Sequence, residues 1–313
     1  MMEKLDLAYG KANRKSRKRR NKEALWGYAF VGPLLIGLLM FLAVPLGFSL
    51  YISLTEYSLN SAPVFVGFDH FKVIFTNTIQ GKEFWRSIGN AFIMCIGTLI
   101  SMGLSLLVAN ILCGKIKLVN FFKSVFFIPT ICSSVATTIM WKRMYDYYYG
   151  TINQILVALF KIDRIYWLDE QHVVGSIMFM TILFGFGTSM LLYISAIKGI
   201  PKSYYEAADI DGANGIQKFF HITIPSVSSI TFYILVTGLI GCLQGFTVFQ
   251  VMTNGTPSNT MMPVLLIYKY TSGADYALNY GLASAMALVL GIIIALLTAL
   301  NFAISKKWVH YES

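Results

Sequence analysis

The sequence predicts an all-α, polytopic membrane protein with six transmembrane helices, and three observations predict it. Hydrophobic residues make up 56% of the 313 and charged residues 13%, about half the charge of a soluble domain. Mean hydropathy is +0.62. Six apolar stretches, at 28–54, 88–112, 121–141, 173–197, 226–250 and 281–304, each reach the ~20 residues a helix needs to cross a bilayer. Lys123, at one edge, is their only Asp, Glu, Lys or Arg. The expected organisation is a basic tail over 1–27, a membrane domain over 28–304 and a short tail over 305–313.

The tail sets the orientation. Net charge is +10, and nine of the 25 Lys and Arg precede residue 28, mostly in the run Lys11 to Lys22, KANRKSRKRRNK. Directly before a span, such a run favours cytoplasmic retention and contact with anionic lipid over nucleic acid. An even number of spans then places both termini in the cytoplasm. The first apolar stretch lacks an A-x-A site and is too long for a cleaved signal, so it reads as an anchor.

Span one carries Pro33 and Pro45 with Gly32, Gly37 and Gly47, which predicts a kink or a peripheral position. The external loop that follows contains SAPVFVGFDHF, residues 61–71. Spans two and three are joined by CGKIKLVNFFKS, residues 113–124, too short for a domain. In span three Pro129 frees a carbonyl, and Ser133, Ser134, Thr137 and Thr138 suit close helix packing or a polar path. The loop 142–172 is aromatic, with DYYYGTINQIL and IYWLDEQH, and suits an interfacial belt or a docking surface. Span four has GFGTSM at 185–190, a glycine-bearing point where a helix can approach a neighbour or a ligand. Gln244 and Gln250 near the end of span five are amides that must find partners in hydrocarbon. The candidate substrate contacts are therefore Thr188, Ser189, Gln244, Phe246 and Gln250, with helix packing as the alternative for each. Cys95, Cys113, Cys132 and Cys242, and the four isolated histidines, lack metal-ligand spacing, so no metal site is expected.

The remaining polar stretch, PKSYYEAADIDGANGIQKFFHITIP at 201–225, has the pattern of a helical hairpin. Ser203 and Glu206 have capping-box spacing, Ala207 and Ala208 favour helix, Gly212 suits a left-handed stop, and Pro225 marks a new start. Glu206-Ala207-Ala208, then Gly212, then Ile222-x-Ile224-Pro225 resembles the EAA loop of permease subunits of binding-protein-dependent ABC importers, where leucine is usual at the position of Ile224. V-G-F-D-H-F in the first external loop, F-F-I-P in span three and Q-V-M-T-N-G-x-P after span five are similar to that family too, in the same order. The similarity is greatest to carbohydrate-uptake permeases. The resemblance implies a MetI-like permease fold. It implies that Ser203, Glu206, Ala207, Ala208, Asp209, Asp211, Gly212 and Ala213 couple the chain to a motor. It also implies a second homologous permease chain as a heterodimer partner, two cytoplasmic ABC ATPase subunits that hold ATP and Mg, and an extracellular solute-binding protein.

The chemistry absent from the chain agrees. Three Gly-Lys pairs occur, at 10–11, 81–82 and 114–115, but Ala12, Glu83 and Ile116 follow where a phosphate-binding loop needs Ser or Thr. No nucleophile with a nearby base and no intramembrane carboxylate pair is visible, so the expectation is a non-catalytic subunit without a cofactor of its own. Charge-free spans suit a neutral cargo, because an ion-coupled carrier keeps a charge in the membrane. A carbohydrate, in particular an oligosaccharide, fits. The alternatives are a non-sugar solute such as glycerol-3-phosphate, or an ATP-independent secondary transporter.

Overall fold

The computed structural model describes residues 26–58, 62–114, 117–273 and 276–309. The basic run Lys11–Lys22 and His310 lie outside them. In chain order the elements are α1 (Trp26–Ser53), β1 (Thr55–Glu56), β2 (Val64–Phe65), α2 (Asp69–Phe75), α3 (Ile79–Cys113), α4 (Val119–Ile131), α5 (Ser134–Met144) and α6 (Thr151–Phe160). There follow α7 (Val173–Gly199), α8 (Lys202–Ile210), α9 (Gly215–Ser226), α10 (Ser228–Leu243), α11 (Thr247–Met252), α12 (Pro263–Ser272) and α13 (Tyr280–Ser305). Four helices, α1, α3, α7 and α13, are each long and apolar enough to cross a membrane alone. The other two spans are broken: α4 and α5 meet at 100°, α9 and α10 at 67°.

The centre of the fold is the pair α3 and α7. Ser101 Oγ donates to the Ile182 carbonyl at 3.0 Å, Ser105 Oγ to that of Phe186 at 3.1 Å, and Cys113 Sγ to that of Ile194 at 3.9 Å. Each link joins residues 81 apart in sequence, so the two helices run in the same direction in constant register. Small polar side chains make this close approach possible and satisfy themselves across the interface. α4 crosses α7 at Gly187, where a Cβ would collide with the Phe126 carbonyl oxygen. Of the two readings of GFGTSM, approach to a neighbouring helix accounts for Gly187.

Three boundaries differ from the sequence expectation. α3 begins at Ile79, nine residues before the apolar stretch, with Thr78 Oγ1 accepting from the Gly81 amide at 3.0 Å. Lys82, Glu83 and Arg86 exclude these turns from hydrocarbon but not from helix. The third span breaks at Cys132 and Ser133, whose ψ angles are 149° and 130°, three residues after Pro129, which cannot donate to the ladder. The fifth span stops at Leu243, and Gln244 to Phe246 turn the chain into the separate α11. Gln244 and Gln250 therefore do not share the continuous helix expected to 250.

The outer end is braced by polar contacts. His70 Nε2 donates to the Thr55 carbonyl at 3.0 Å, and the Tyr280 amide to that of Tyr57 at 3.0 Å. Together they staple the end of α1 to the start of α13. Most of α1 is exposed along its length, which matches a peripheral first span. In the aromatic loop, Asn153 is fully buried. It accepts from the Ile165 amide and from Trp167 Nε1 and donates to the carbonyls of Tyr147 and Ile165. The rings of Tyr147 and Tyr166 stack at 3.7 Å.

Candidate functional site

Two features stand along α7, one at its C-terminal end and one at its middle. The first is the hairpin α8–α9. Its opening differs from the capping box expected of Ser203 and Glu206. Helix α8 begins at Lys202 with Pro201 in the cap position, so Ser203 is already inside the first turn and makes no cap. The capping box forms one helix later: the Gln217 amide donates to Asn214 Oδ1 at 2.9 Å and the Asn214 amide to Gln217 Oε1 at 2.8 Å. The Glu206 side chain is exposed and, among the described residues, makes no hydrogen bond or ion pair.

The turn between the helices follows the expected logic. Gly212 has φ +73°, and the Gly212 and Ala213 amides return to the carbonyls of Asp209 and Ala208 at 3.1 and 2.8 Å. This double closure stops a helix with a left-handed residue. The hairpin is then tied shut twice. Asp209 pairs with Lys218 across the turn, and the hydroxyls of Tyr205 and Thr223 meet at 3.0 Å. Ala207 and Asp211 face outward with Glu206, while Ala208 and Ala213 are half-buried. Ile210 and Ile216 flank Gly212 and are 87% and 71% exposed, so the tip presents apolar side chains around a bare backbone. Its root is the reverse: Ile197, Ile200, Thr223 and Val227 are buried beside Tyr193 and Leu112.

The second feature is a cavity of 340 Å³ enclosed by α3, α7 and α10, within the usual size of small-molecule sites. Thr98 and Ser101 come from α3, Thr181, Thr188 and Ser189 from α7, and Tyr233 and Thr237 from α10. No charged side chain lines it. An adjoining cavity of 310 Å³ shares Thr98 and Thr181 and adds Ser134, Phe246 and Thr247. The structure thus brings Thr188, Ser189 and Phe246 to one hydroxyl-lined furrow. It leaves Gln244 at the exposed end of α10 and Gln250 on α11, with neither lining these two cavities.

Thr98, Ser101, Tyr233 and Thr237 were not singled out by the sequence. Their signal is spacing: Thr98 and Ser101 are three apart, Tyr233 and Thr237 four apart, which puts each pair on one helix face. The hydroxyls of span three are more conspicuous in sequence. Of these, Thr137 and Thr138 are buried, with Thr138 Oγ1 donating back to the Ser134 carbonyl at 2.7 Å.

Residues 31–310 match the model of the family described as Binding-protein-dependent transport system inner membrane component. The chain is 36% identical over 305 residues to YesP of Bacillus subtilis, named a probable ABC transporter permease protein, covering 96% of this chain and 97% of that one. It is 28% identical over 295 residues to MsmF of Streptococcus mutans, a multiple sugar-binding transport system permease protein, covering 93% and 98%. It also superposes on a chain of a bacterial alginate ABC transporter, solved in complex with an alginate pentasaccharide-bound periplasmic protein. That match has TM-score 0.79 and 22% identity over 92% of this chain and 96% of the other, and it shows the shared fold. With the match running from the first span past the last, the chain belongs to the family of inner membrane components of binding-protein-dependent transport systems.

Proposed function

We propose that this multi-pass membrane protein is the permease subunit of an ABC importer that passes a carbohydrate, in particular an oligosaccharide, across a bacterial cell membrane. The observation that carries the cargo reading is the furrow between α3, α7 and α10. It offers hydroxyls and aromatic faces and no charge, which suits a neutral polyol. A phosphorylated cargo would want Arg or Lys there, and none lines it. A relative's name, multiple sugar-binding transport, points the same way.

Both termini and the hairpin lie in the cytoplasm in this reading. An extracellular solute-binding protein delivers the sugar, and a second homologous permease chain completes the path. Two ABC ATPase subunits bind ATP and Mg and hydrolyse the nucleotide, while this chain performs no catalysis. The hairpin, with its exposed tip and buried root, transmits their closure. The motor can move cargo only by favouring one of two states with different affinity for it.

The test is uptake of labelled oligosaccharides by cells or vesicles that contain the whole system. Expected are saturable uptake that stops on ATP depletion and an ATPase chain that co-purifies with this one. Uptake indifferent to ATP, or recovery of this chain without any ATPase, would overturn the reading.

A further inference from the structure

Beside the hairpin lies a second pair of adjoining cavities, separate from the furrow. One, of 380 Å³, lies between the end of α3, the end of α7 and the start of α8, and Asn110, Gly114, Lys198, Lys202 and Tyr205 line it. Both lysines are exposed, and among the described residues neither forms an ion pair. Glu206, one turn beyond Lys202, forms no ion pair with either lysine. The other cavity, of 780 Å³, is a groove between α3 and α9, walled by Leu107, Ile111, Ile216, Phe219 and Phe220. The two share Asn110, whose side chain makes no hydrogen bond among the described residues. Two unpaired cations and a free amide thus stand at the mouth of a long apolar groove, at the level where a span gives way to a polar hairpin.

That combination selects its occupant. The head needs a diffuse negative charge, and the tail needs hydrocarbon. Basic pockets between transmembrane helices on the cytoplasmic side hold anionic headgroups. A free phosphate would use only the first cavity, and an apolar helix from a neighbour only the second. We propose that the two cavities form one site for an anionic phospholipid. Its phosphate is held by Lys198 and Lys202, with Asn110 at the glycerol level and an acyl chain along Leu107, Ile111 and Phe219. The lipid then sits against Tyr205, which ties the hairpin shut, so headgroup binding stabilises the closed hairpin. Lipid retention is read without any transport, so this proposal and the sugar reading fail separately.

The experiment is native mass spectrometry of the full-length protein, released from phosphatidylcholine vesicles doped with phosphatidylglycerol. The wild type is expected to retain phosphatidylglycerol. Lys198→Gln lowers affinity about fivefold and the double variant with Lys202→Gln about thirtyfold, at the strength of one lysine near an anionic surface. Lys306→Gln with Lys307→Gln, which removes equal charge elsewhere, leaves retention unchanged. Equal retention by the two double variants would overturn the proposal. A second readout needs no variant: the wild type melts at higher temperature in vesicles that contain phosphatidylglycerol. Neither glycerophosphoglycerol nor inorganic phosphate reproduces that shift. If either soluble anion does so alone, the site is for a bare anion. If Ile111→Cys is shielded from a membrane-soluble maleimide only when the permease pair is assembled, protein covers the groove. Either result ends the lipid assignment.

Discussion

Gly212 gives a test of the coupling hairpin in which backbone and side chain separate. Its φ is +73°, and a Cβ built there would meet no atom within 4 Å. Crowding therefore contributes nothing, and the whole cost of substitution is the left-handed backbone. For an L-residue that cost is about 1–2 kcal/mol, with a β-branched residue at the upper end and asparagine well below it. The closed-to-open equilibrium constant of the tip then falls about five- to thirtyfold for valine. The Asp209–Lys218 and Tyr205–Thr223 ties and the buried root keep the rest of the chain folded. ATP-driven uptake of labelled oligosaccharide is expected to fall by a similar factor in Gly212→Val and much less in Gly212→Asn. Melting of the purified complex should barely change. Valine behaving as wild type would refute the need for a left-handed stop. Asparagine as harmful as valine would show that the tip rejects any side chain, and that the geometry of the turn is not what matters.

The furrow is tested by Tyr233→Phe and Thr188→Val, which remove hydroxyls with little change of shape. At about 0.5–1.5 kcal/mol per neutral hydrogen bond, each should raise the KM for uptake roughly two- to twelvefold while basal ATPase activity persists, and unchanged KM in both would place the cargo elsewhere. Gly187→Val drives a side chain into the Phe126 carbonyl and Thr130; overpacking of this kind costs about 1–3 kcal/mol, read as a lower melting temperature, and a neutral result would mean α4 yields easily. Asp169 binds the Gln171 and His172 amides and the His172 ring at the start of α7. Burial opposes its ionisation, yet those donors outweigh it and hold the carboxyl below its ordinary value. A depressed acid stabilises the fold above its unfolded pKa, and that contribution is lost as pH falls through the folded one. Asp169→Asn should therefore lower the melting temperature most at neutral pH, and the difference from wild type should shrink as pH falls below about 4.

What the sequence showed and what it hid divide along physical lines. Span count was legible because hydrocarbon excludes charge, so six stretches with Lys123 as their single charged residue stand out without any knowledge of packing. Helix ends were not, since charge at Lys82, Glu83 and Arg86 limits insertion while leaving α3 helical. The stop at Gly212 was legible because glycine is the residue that takes a positive φ at no steric cost. The start of α8 was not, because Ser203 and Glu206 form an acceptable capping pattern, yet Pro201 occupies the cap two positions earlier. Thr188 and Ser189 stood out within a run of apolar neighbours. Tyr233 and Thr237 belong to the same cavity, but only the juxtaposition of α7 and α10 reveals it.

The same packing assigns unequal parts to the three walls of the furrow. α3 and α7 are joined at three levels by side chains that bond to the neighbour's carbonyls, and a packed pair of that kind moves as one body. α10 meets them through Ile234 and Gly238, the latter against Thr98, and it hangs from the 67° bend after Ser226. Its root residue Val227 is buried with Ile197 and Ile200, so a push on the hairpin cannot be absorbed there. If the hairpin couples to a motor as proposed, its displacement would emerge at the bend, and α10 would carry Tyr233 and Thr237 past the hydroxyls of Thr188 and Ser189. On that proposal, cargo affinity would change because one wall of the furrow moves against the other two, and the uncharged lining would let that happen without stranding an ion.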